Sequence, residues 1–294
     1  MLKIKKILAP VDFSERSEHG VEHALAVADR FDAALVLAHV IPPSPYEYAA
    51  FEEGFYAAAN WPTLDNIREG LDRQMSALVA KVPSGREVET ILRRGDPAHE
   101  VGKIVKESQI DLVVMPTHGY GPFRRFVLGS VTSKALHDLS CPVLTGTHVP
   151  HLEPIDAEPY KRIACAIDLG PSSEGVLGWA HELSKACADD LIVIHAAPRV
   201  EVGGAYGDWF PPETIGQITQ HGKEHVDALL ARLDIKAEVH VASAEPVSYA
   251  CKTAQGTNAD LLVIGRSSHE GLLGRLQQHA LGMIREAPCP VISV

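Results

Sequence analysis

The stretch with the clearest chemical potential is MPTHGYGPFRRFVLGSVTS, residues 115–133. It leaves the apolar run DLVV (111–114) and closes on Gly129-Ser130, just before the helical pattern KALHDL (134–139). Main-chain amides in the first turn of a helix have no intrahelical partner and carry the positive end of its dipole. A glycine-marked loop ending there therefore suits an anion, phosphate above all. Ser130 and Thr132 add hydroxyl donors, and glycine allows close approach of the backbone. Arg124 and Arg125 sit inside the loop, where they fit a solvated face better than a phosphate clamp. Asp12, in the segment PVDFS (10–14), is a second candidate polar group; its position also suits a simple cap of the first helix.

Such a loop needs a strand to deliver it and a helix to receive it, and the chain supplies that alternation twice. ILAPVDFSERSEHGVEHALAVADRFDAALVLAHVIP (7–42) is matched by IACAIDLGPSSEGVLGWAHELSKACADDLIVIHAAP (163–198), so that Asp12 and Asp168, His39 and His195, and Pro42 and Pro198 share one offset of 156. Farther on, DLVVMP (111–116) matches DLLVIG (260–265) and CPVLT (141–145) matches CPVIS (289–293), at offsets of 149 and 148. A repeat this long means two homologous domains and not a solenoid. Residues 1–146 form the first, the proline-bearing segment 147–160 the linker, and 161–294 the second.

Within the first copy, strands are expected at 6–11, 34–40, 88–92, 111–115 and 142–145. Ser14 is expected to cap a helix that turns Val21, Ala24, Leu25 and Ala28 inward. Asp96-Pro97 reads as an N-cap followed by proline at the first helical position, with Val101, Ile104 and Val105 inward. The helix between the second and third strands is marked by Ile67, Leu71, Met75 and Leu78. Apolar runs without alternation suit strands covered on both faces. The fold class is therefore α/β: two homologous doubly wound domains, each a mostly parallel five-stranded sheet flanked by helices. In such sheets ligands bind beyond the carboxyl ends of the strands where the winding reverses. That brings the PVDFS turn and the MPTHG loop to one crevice.

These residues resemble the universal stress protein family in its tandem two-domain form, over nearly the whole chain. The likeness rests on PVDFS, on RRGDPAHEV (93–101) and on LGSVTSKALHDLSCPVL (128–144). ATP-binding members carry glycine, two residues, glycine, nine residues, then glycine with serine or threonine. Here Gly119 and, nine residues on, Gly129-Ser130 fit, while Pro116 takes the first glycine's place and offers no N–H. The resemblance implies ATP, with or without Mg2+, as the ligand. It implies that Pro10, Val11 and Asp12 flank the adenine and that Val40 packs near the base. Met115, Pro116, His118 and Gly119 would line the path of the ribose and phosphates, and Gly129, Ser130, Val131 and Thr132 would hold the phosphates. In the second copy, GRSSHEGLLGRLQQHALGMI (265–284) keeps Gly265, but Ser268 stands for the second glycine and Gln277-Gln278 for Gly129-Ser130. Gln277 would crowd the phosphates and lose any special glycine geometry, although Gly271 and Gly274 can build a different loop. One strong nucleotide site is expected, in the first domain.

The remaining features narrow the function. Against 27 Lys and Arg stand 38 Asp and Glu, a net charge of −11, which argues against nucleic acid or an anionic membrane as partner. The start, MLKIKKILAPVDFS, has too short an apolar core for a signal peptide or a span, so a cytoplasmic location is expected. Five scattered cysteines without C-x-x-C read as reduced, mostly buried thiols. There is neither a G-x-x-x-x-G-K-[ST] loop nor a dinucleotide fingerprint, nor the S-G-G-x-D-S or H-I-G-H signature of nucleotidyl-transferring folds. The pairs His19/His23 and His221/His225 lie at i, i+4 but lack a third ligand, and read as exposed helix histidines. PSPYEYAAFEEGFYAAANWPTLDN (43–66) gathers Tyr46, Tyr48, Phe51, Phe55, Tyr56 and Trp61, and its counterpart carries Tyr206, Trp209 and Phe210. These connections suit a lid or partner surface as well as ordinary packing. The reading is a cytoplasmic, ATP-binding stress-response regulator, at most a slow ATPase or a self-phosphorylating protein through Ser130 or Thr132. Its domains pair within the chain, or two chains form a dimer, and its protein partners are unknown. The alternative is a scaffold that needs no nucleotide and works through the aromatic connections, its two halves joined through PVLT and PVIS.

Overall fold

The computed structural model describes residues 2–43, 64–83, 86–117, 128–146, 160–188, 190–198, 212–266 and 278–294. Strands β1 (Lys6–Pro10), β2 (Ala34–Ile41), β3 (Val88–Arg94), β4 (Leu112–Met115) and β5 (Val143–Thr145) alternate with helices α1 (Glu15–Phe31), α2 (Leu64–Val79), α3 (Pro97–Glu107) and α4 (Ser130–Asp138). The second half repeats this with β6 (Arg162–Ile167), α5 (Ser173–Cys187), β7 (Asp190–Ala197), α6 (Pro212–Leu233), β8 (Glu238–Ser243), α7 (Pro246–Gly256), β9 (Leu261–Ile264), α8 (Gln278–Glu286) and β10 (Val291–Ser293). Strand order is β3-β2-β1-β4-β5-β10-β9-β6-β7-β8 in one ten-stranded sheet. Within each half the neighbours are parallel, and the two halves meet at an antiparallel β5–β10 pair. The expected five-stranded sheets are therefore halves of one continuous sheet.

The strands lack alternation because both faces are covered. Ile7, Ala9 and Val11 join one core layer with Val21, Ala24 and Val27 of α1, while Leu8 joins the other with Val101, Ile104 and Val105 of α3. Local signals start the helices as their residue types demand. The Ser14 side chain accepts from the Ser17 amide to begin α1, and that of Asp96 accepts from His99 N–H to begin α3, with Pro97 in its first turn. Of the residues expected inward on α1, Val21, Ala24 and Ala28 are buried and Leu25 is half-buried; Val27 and His23 complete the stripe.

The β5–β10 seam has a local twofold. Leu144 pairs with Ile292, its own counterpart in the repeat, and Val143 and Thr145 pair with Ser293 and Val291. The side chains repeat the symmetry: Thr145 Oγ1 donates to Val291 O at 3.2 Å, and Ser293 Oγ to Val143 O at 3.3 Å. Each half thus covers the strand edge that the other would leave open. Arg30 of α1 adds a bond to Ala186 O at the end of α5. All five cysteines are free thiols, four of them buried. Burial pushes the Cys165 thiol up to about 12. No described helix is long and apolar enough to cross a membrane.

One expectation is corrected here. His23 is not an exposed helix residue: it is 3% exposed, and its Nε2 and the Tyr160 hydroxyl are hydrogen-bonded at 2.6 Å across the boundary between the halves. The i, i+4 spacing could not reveal this, because the covering group comes from 137 residues away. His221 and His225 are exposed, as expected, with ring centroids 4.1 Å apart. Burial pulls the His23 imidazole from 6.5 down to about 4. The unfolded chain therefore takes up a proton that the folded chain refuses. The stability this represents, on the order of 3 kcal/mol, is present above pH 6.5 and is lost as pH falls toward 4. Urea midpoints measured across that window should fall more steeply for the native chain than for His23→Gln, and equal slopes would refute the burial argument.

Candidate functional site

The winding reverses between β1 and β4, and between β6 and β9 in the second half. Pro10 ends β1, Val11 and Asp12 follow it, Val40 lies near the end of β2, and Met115 and Pro116 leave β4. The register Ile7↔Leu112 and Leu8↔Val113 sets Pro10 level with Met115. All of these therefore stand along one edge of the sheet, the edge where open α/β sheets bind ligands. Val11, Val40, Met115 and Thr132 are buried, so they offer a ligand a wall and no charge. His118, Gly119, Arg124 and Arg125 lie outside the described residues, as do the aromatics of both long connections and Ser268, Gly271, Gly274 and Gln277.

The turn after β1 is built the same way in both halves. Val11 N–H donates to Ala38 O at 2.8 Å, and the ring Nδ1 of His39 donates to Val11 O at 2.8 Å. In the second half His195 Nδ1 donates to Ile167 O at 3.0 Å. The next residue but one is left-handed in each copy, Phe13 at φ 59° and Leu169 at φ 62°. Bulky side chains rarely adopt that conformation, and strain of this kind gathers at binding sites. Asp12 Oδ1 accepts from Ser14 N at 3.0 Å and Ser14 Oγ at 2.5 Å, while Ser14 itself caps α1. The cap reading of Asp12 is thus half met: its carboxylate braces the capping serine. Asp168 Oδ1 plays a similar part, accepting from Gly170 N and Ser173 Oγ, each at 2.8 Å.

The two ends of the loop after β4 are tied together. Gly129 N–H donates to Thr117 O at 2.7 Å, and Thr132 Oγ1 donates to Pro116 O at 2.8 Å. Two expectations change as a result. The Thr132 hydroxyl is engaged by the loop it closes, so what Thr132 can offer an anion is its amide. Gly129 has φ −61° and ψ 148°, an ordinary extended conformation that any residue adopts, so no special glycine geometry is in use there. The first intrahelical bond of α4 is made by Ser133 N to Gly129 O at 2.8 Å, and no side chain caps the helix. The amides of Ser130, Val131 and Thr132 thus precede the hydrogen-bond ladder, and Ser130 is exposed. The arrangement can hold an anion without a cationic side chain.

Pro116 also has an explanation. Its ring packs on Gly20 of α1, where an added Cβ would stand 3.5 Å from Pro116 Cδ. In the second half the sizes are exchanged: Gly265 replaces Pro116 and Val176 replaces Gly20, with a Cβ on Gly265 meeting Val176 Cγ2 at 2.9 Å. The missing glycine of the first half is compensated by a glycine on the facing helix. The second half holds a cavity of about 320 Å³ beside this contact. It is lined in part by Ala166, Asp168, Ala196, Ile264, Gly265 and Ala280. These are the counterparts of Pro10, Asp12, Val40, Met115, Pro116 and Thr132, so the positions singled out in one half do converge on one hollow in the other. His195, His279 and Arg266 also line it. The shared offset of His39 and His195 was the available sign of their role; nothing in the sequence marked Arg266.

The family model of the universal stress proteins matches residues 3–145 and 159–294. The chain belongs to the universal stress protein family. A universal stress protein of Mycolicibacterium smegmatis is 28% identical over 283 residues, 92% of this chain and 90% of that one. One from Methanocaldococcus jannaschii is 30% identical over 142 residues, 48% of this chain and 80% of its own length. Among solved structures, a universal stress protein of Archaeoglobus fulgidus matches with a TM-score of 0.64 and 19% identity over 99% of this chain and 96% of that one, a likeness of fold.

The exchanged packing pair makes a stability prediction. Gly265→Ala should cost about 1–3 kcal/mol by overpacking against Val176. Adding Val176→Ala should return most of that loss, and a double-mutant cycle on urea midpoints measures the coupling. Additive effects would mean that the two positions do not share the contact.

Proposed function

We propose that this member of the family is an ATP-binding regulatory protein of the cytoplasmic stress response, with the nucleotide held mainly in its first half. The observation that carries the reading is the start of α4, where Ser130, Val131 and Thr132 N–H precede the hydrogen-bond ladder and the N-cap residue is a glycine. Pro10, Val11, Asp12 and Val40 would wall the base. Met115, Pro116, His118 and Gly119 would line the path to the phosphates, which Gly129 and the first turn of α4 would receive, with Mg2+ accompanying them. Asp12, braced by Ser14, is a hydrogen-bond acceptor suited to the ring amine or hydroxyls of a nucleoside. Nucleotide would engage the loop after β4 and so change what the protein contacts. Of the two candidate phosphate acceptors, Ser130 is the exposed one, which makes it the better site for slow self-phosphorylation.

The cavity of the second half supports a subordinate reading, a weaker site there. It has room for a base or ribose, but Gln277-Gln278 stand where the first half has Gly129-Ser130. The antiparallel β5–β10 pair supports the pairing of halves within the chain, and a dimer of whole chains would use another surface.

Because Gly129 has an ordinary backbone, Gly129→Gln should fold and keep its thermal midpoint within a few degrees while copying the second half's residue. Titration calorimetry with ATP should then show at least tenfold weaker binding. Unchanged affinity would move the phosphates away from α4, and a native chain with no affinity below the millimolar range would end the nucleotide reading.

A further inference from the structure

We infer that Arg266, a residue of the second half, is a positioning residue for phosphate binding in the first half, acting through the far end of α4. The inference rests on the nucleotide reading above. Arg266 follows β9 and is 6% exposed. Its Nη1 donates to Leu136 O at 3.3 Å and to Leu139 O at 3.0 Å, and its Nη2 to Cys141 O at 2.6 Å. These carbonyls belong to the last turn of α4 and the chain just beyond it. The last carbonyls of a helix lack partners, as its first amides do. One guanidinium therefore serves the negative pole of the very helix whose positive pole faces the proposed phosphates. A planar fork reaches the three carbonyls from two nitrogens held at a fixed spacing, whereas a lysine would have to reach them from a single nitrogen.

The clamp is fixed and it runs one way. Arg266 N–H donates to Val294 O at 2.7 Å, and Val294 N–H to Ile264 O at 3.0 Å, so the residue is held by the last residue of the chain. Its counterpart in the first half is Thr117, which carries no charge and whose carbonyl takes the Gly129 amide. The second half thus supports α4, while the first half's cation across the boundary, Arg30, goes to the end of α5 and not to α8, the counterpart of α4. Two effects follow. The charge lies one helix length, about 14 Å for nine residues, from the free amides, in a buried path where salt screens little. The guanidinium also fixes the C-terminal end of α4 while the Thr132–Pro116 bond fixes its N-terminal end, so the amides are held in place before the anion arrives. A unit charge at that distance raises affinity for a polyanion by about five- to tenfold.

The test compares ATP with adenosine on the full chain, since only ATP carries the anion. Arg266→Gln should weaken ATP about five- to tenfold by calorimetry and leave adenosine within twofold. Arg266→Lys, which keeps the charge but has one nitrogen in place of the two-nitrogen fork, should lose only two- to threefold for ATP. In a Gly129→Gln background, Arg266→Gln should change ATP affinity by less than twofold. Unchanged ATP binding in folded Arg266→Gln overturns the inference, as does equal weakening of ATP and adenosine, which marks general destabilisation. A full loss persisting in the Gly129→Gln background also overturns it, because the effect would then lie in the second half's cavity. If Arg266→Gln does not fold, the ATP-to-adenosine affinity ratio of Arg266→Lys decides: a two- to threefold drop supports the inference and an unchanged ratio overturns it. A native chain that binds neither ligand fails the nucleotide reading itself, an outcome distinct from native binding that the variants leave unaltered.

Discussion

A helix cannot satisfy its own first amides, and the N-cap of α4 is Gly129, which has no side chain to do so. Gly129 spends its N–H on Thr117 O, and Thr132 spends its hydroxyl on Pro116 O. Both bonds tie the helix start to the end of β4, and the hydrogen-bond ladder of α4 begins only with Ser133 N–H donating to Gly129 O. The contrast with α1 and α3 is chemical: Ser14 and Asp96 supply oxygen to the same kind of orphan donors there. Where an oxygen is built in, no ligand is needed. Where only glycine stands, the field of the helix remains open to one. The parallel sheet matters because it sets that opening beside the β1 turn, at the reversal of the winding.

The duplication shows which features of such a site are structural. Both halves keep the aspartate after the first strand, the left-handed residue that follows it, and the histidine that holds the preceding carbonyl. Those elements shape the turn and need no ligand to explain them. The halves differ where the ligand's charge would lie. They differ too at Pro116 and Gly20 against Gly265 and Val176, where bulk moves from strand to helix and the contact survives. The facing helix accounts for the bulk of Pro116, although it does not replace the N–H that proline lacks.

Much of this was legible in the sequence because it depends on local rules. Apolar runs, caps at Ser14 and Asp96, and the offset of the repeat lead to β1 to β10 in order, with ends shifted by a residue or two. The switch point follows from the winding, and with it the edge on which Asp12 and Gly129 stand. What was not legible comes from partners distant in the chain. His23 looked like a surface residue until Tyr160 covered it, and nothing in the sequence tied Arg266 to a helix of the other half. Thr132 was read as a phosphate donor because a hydroxyl's partner cannot be told from spacing. The dihedral angles of Gly129 were equally hidden, since a glycine that needs room and one that needs a positive φ are written with the same letter.

Covalent linkage of the halves gives the asymmetry its meaning. In a pair of identical chains joined at such a seam, every substitution appears on both sides of the twofold, so a residue that helps one site must be tolerated at the other. An arginine at the position of Arg266 would then also stand at Thr117, a buried position just after β4. Joined in one chain, the halves keep the twofold where it is needed, at Leu144 and Ile292 and in the paired bonds of Thr145 and Ser293. They are free of it elsewhere. One half can retain an open helix start while the other gives up its Gly-Ser and contributes a buried cation to its neighbour's helix. The symmetric seam secures the fold, and the broken symmetry around it leaves room for one half to support binding in the other.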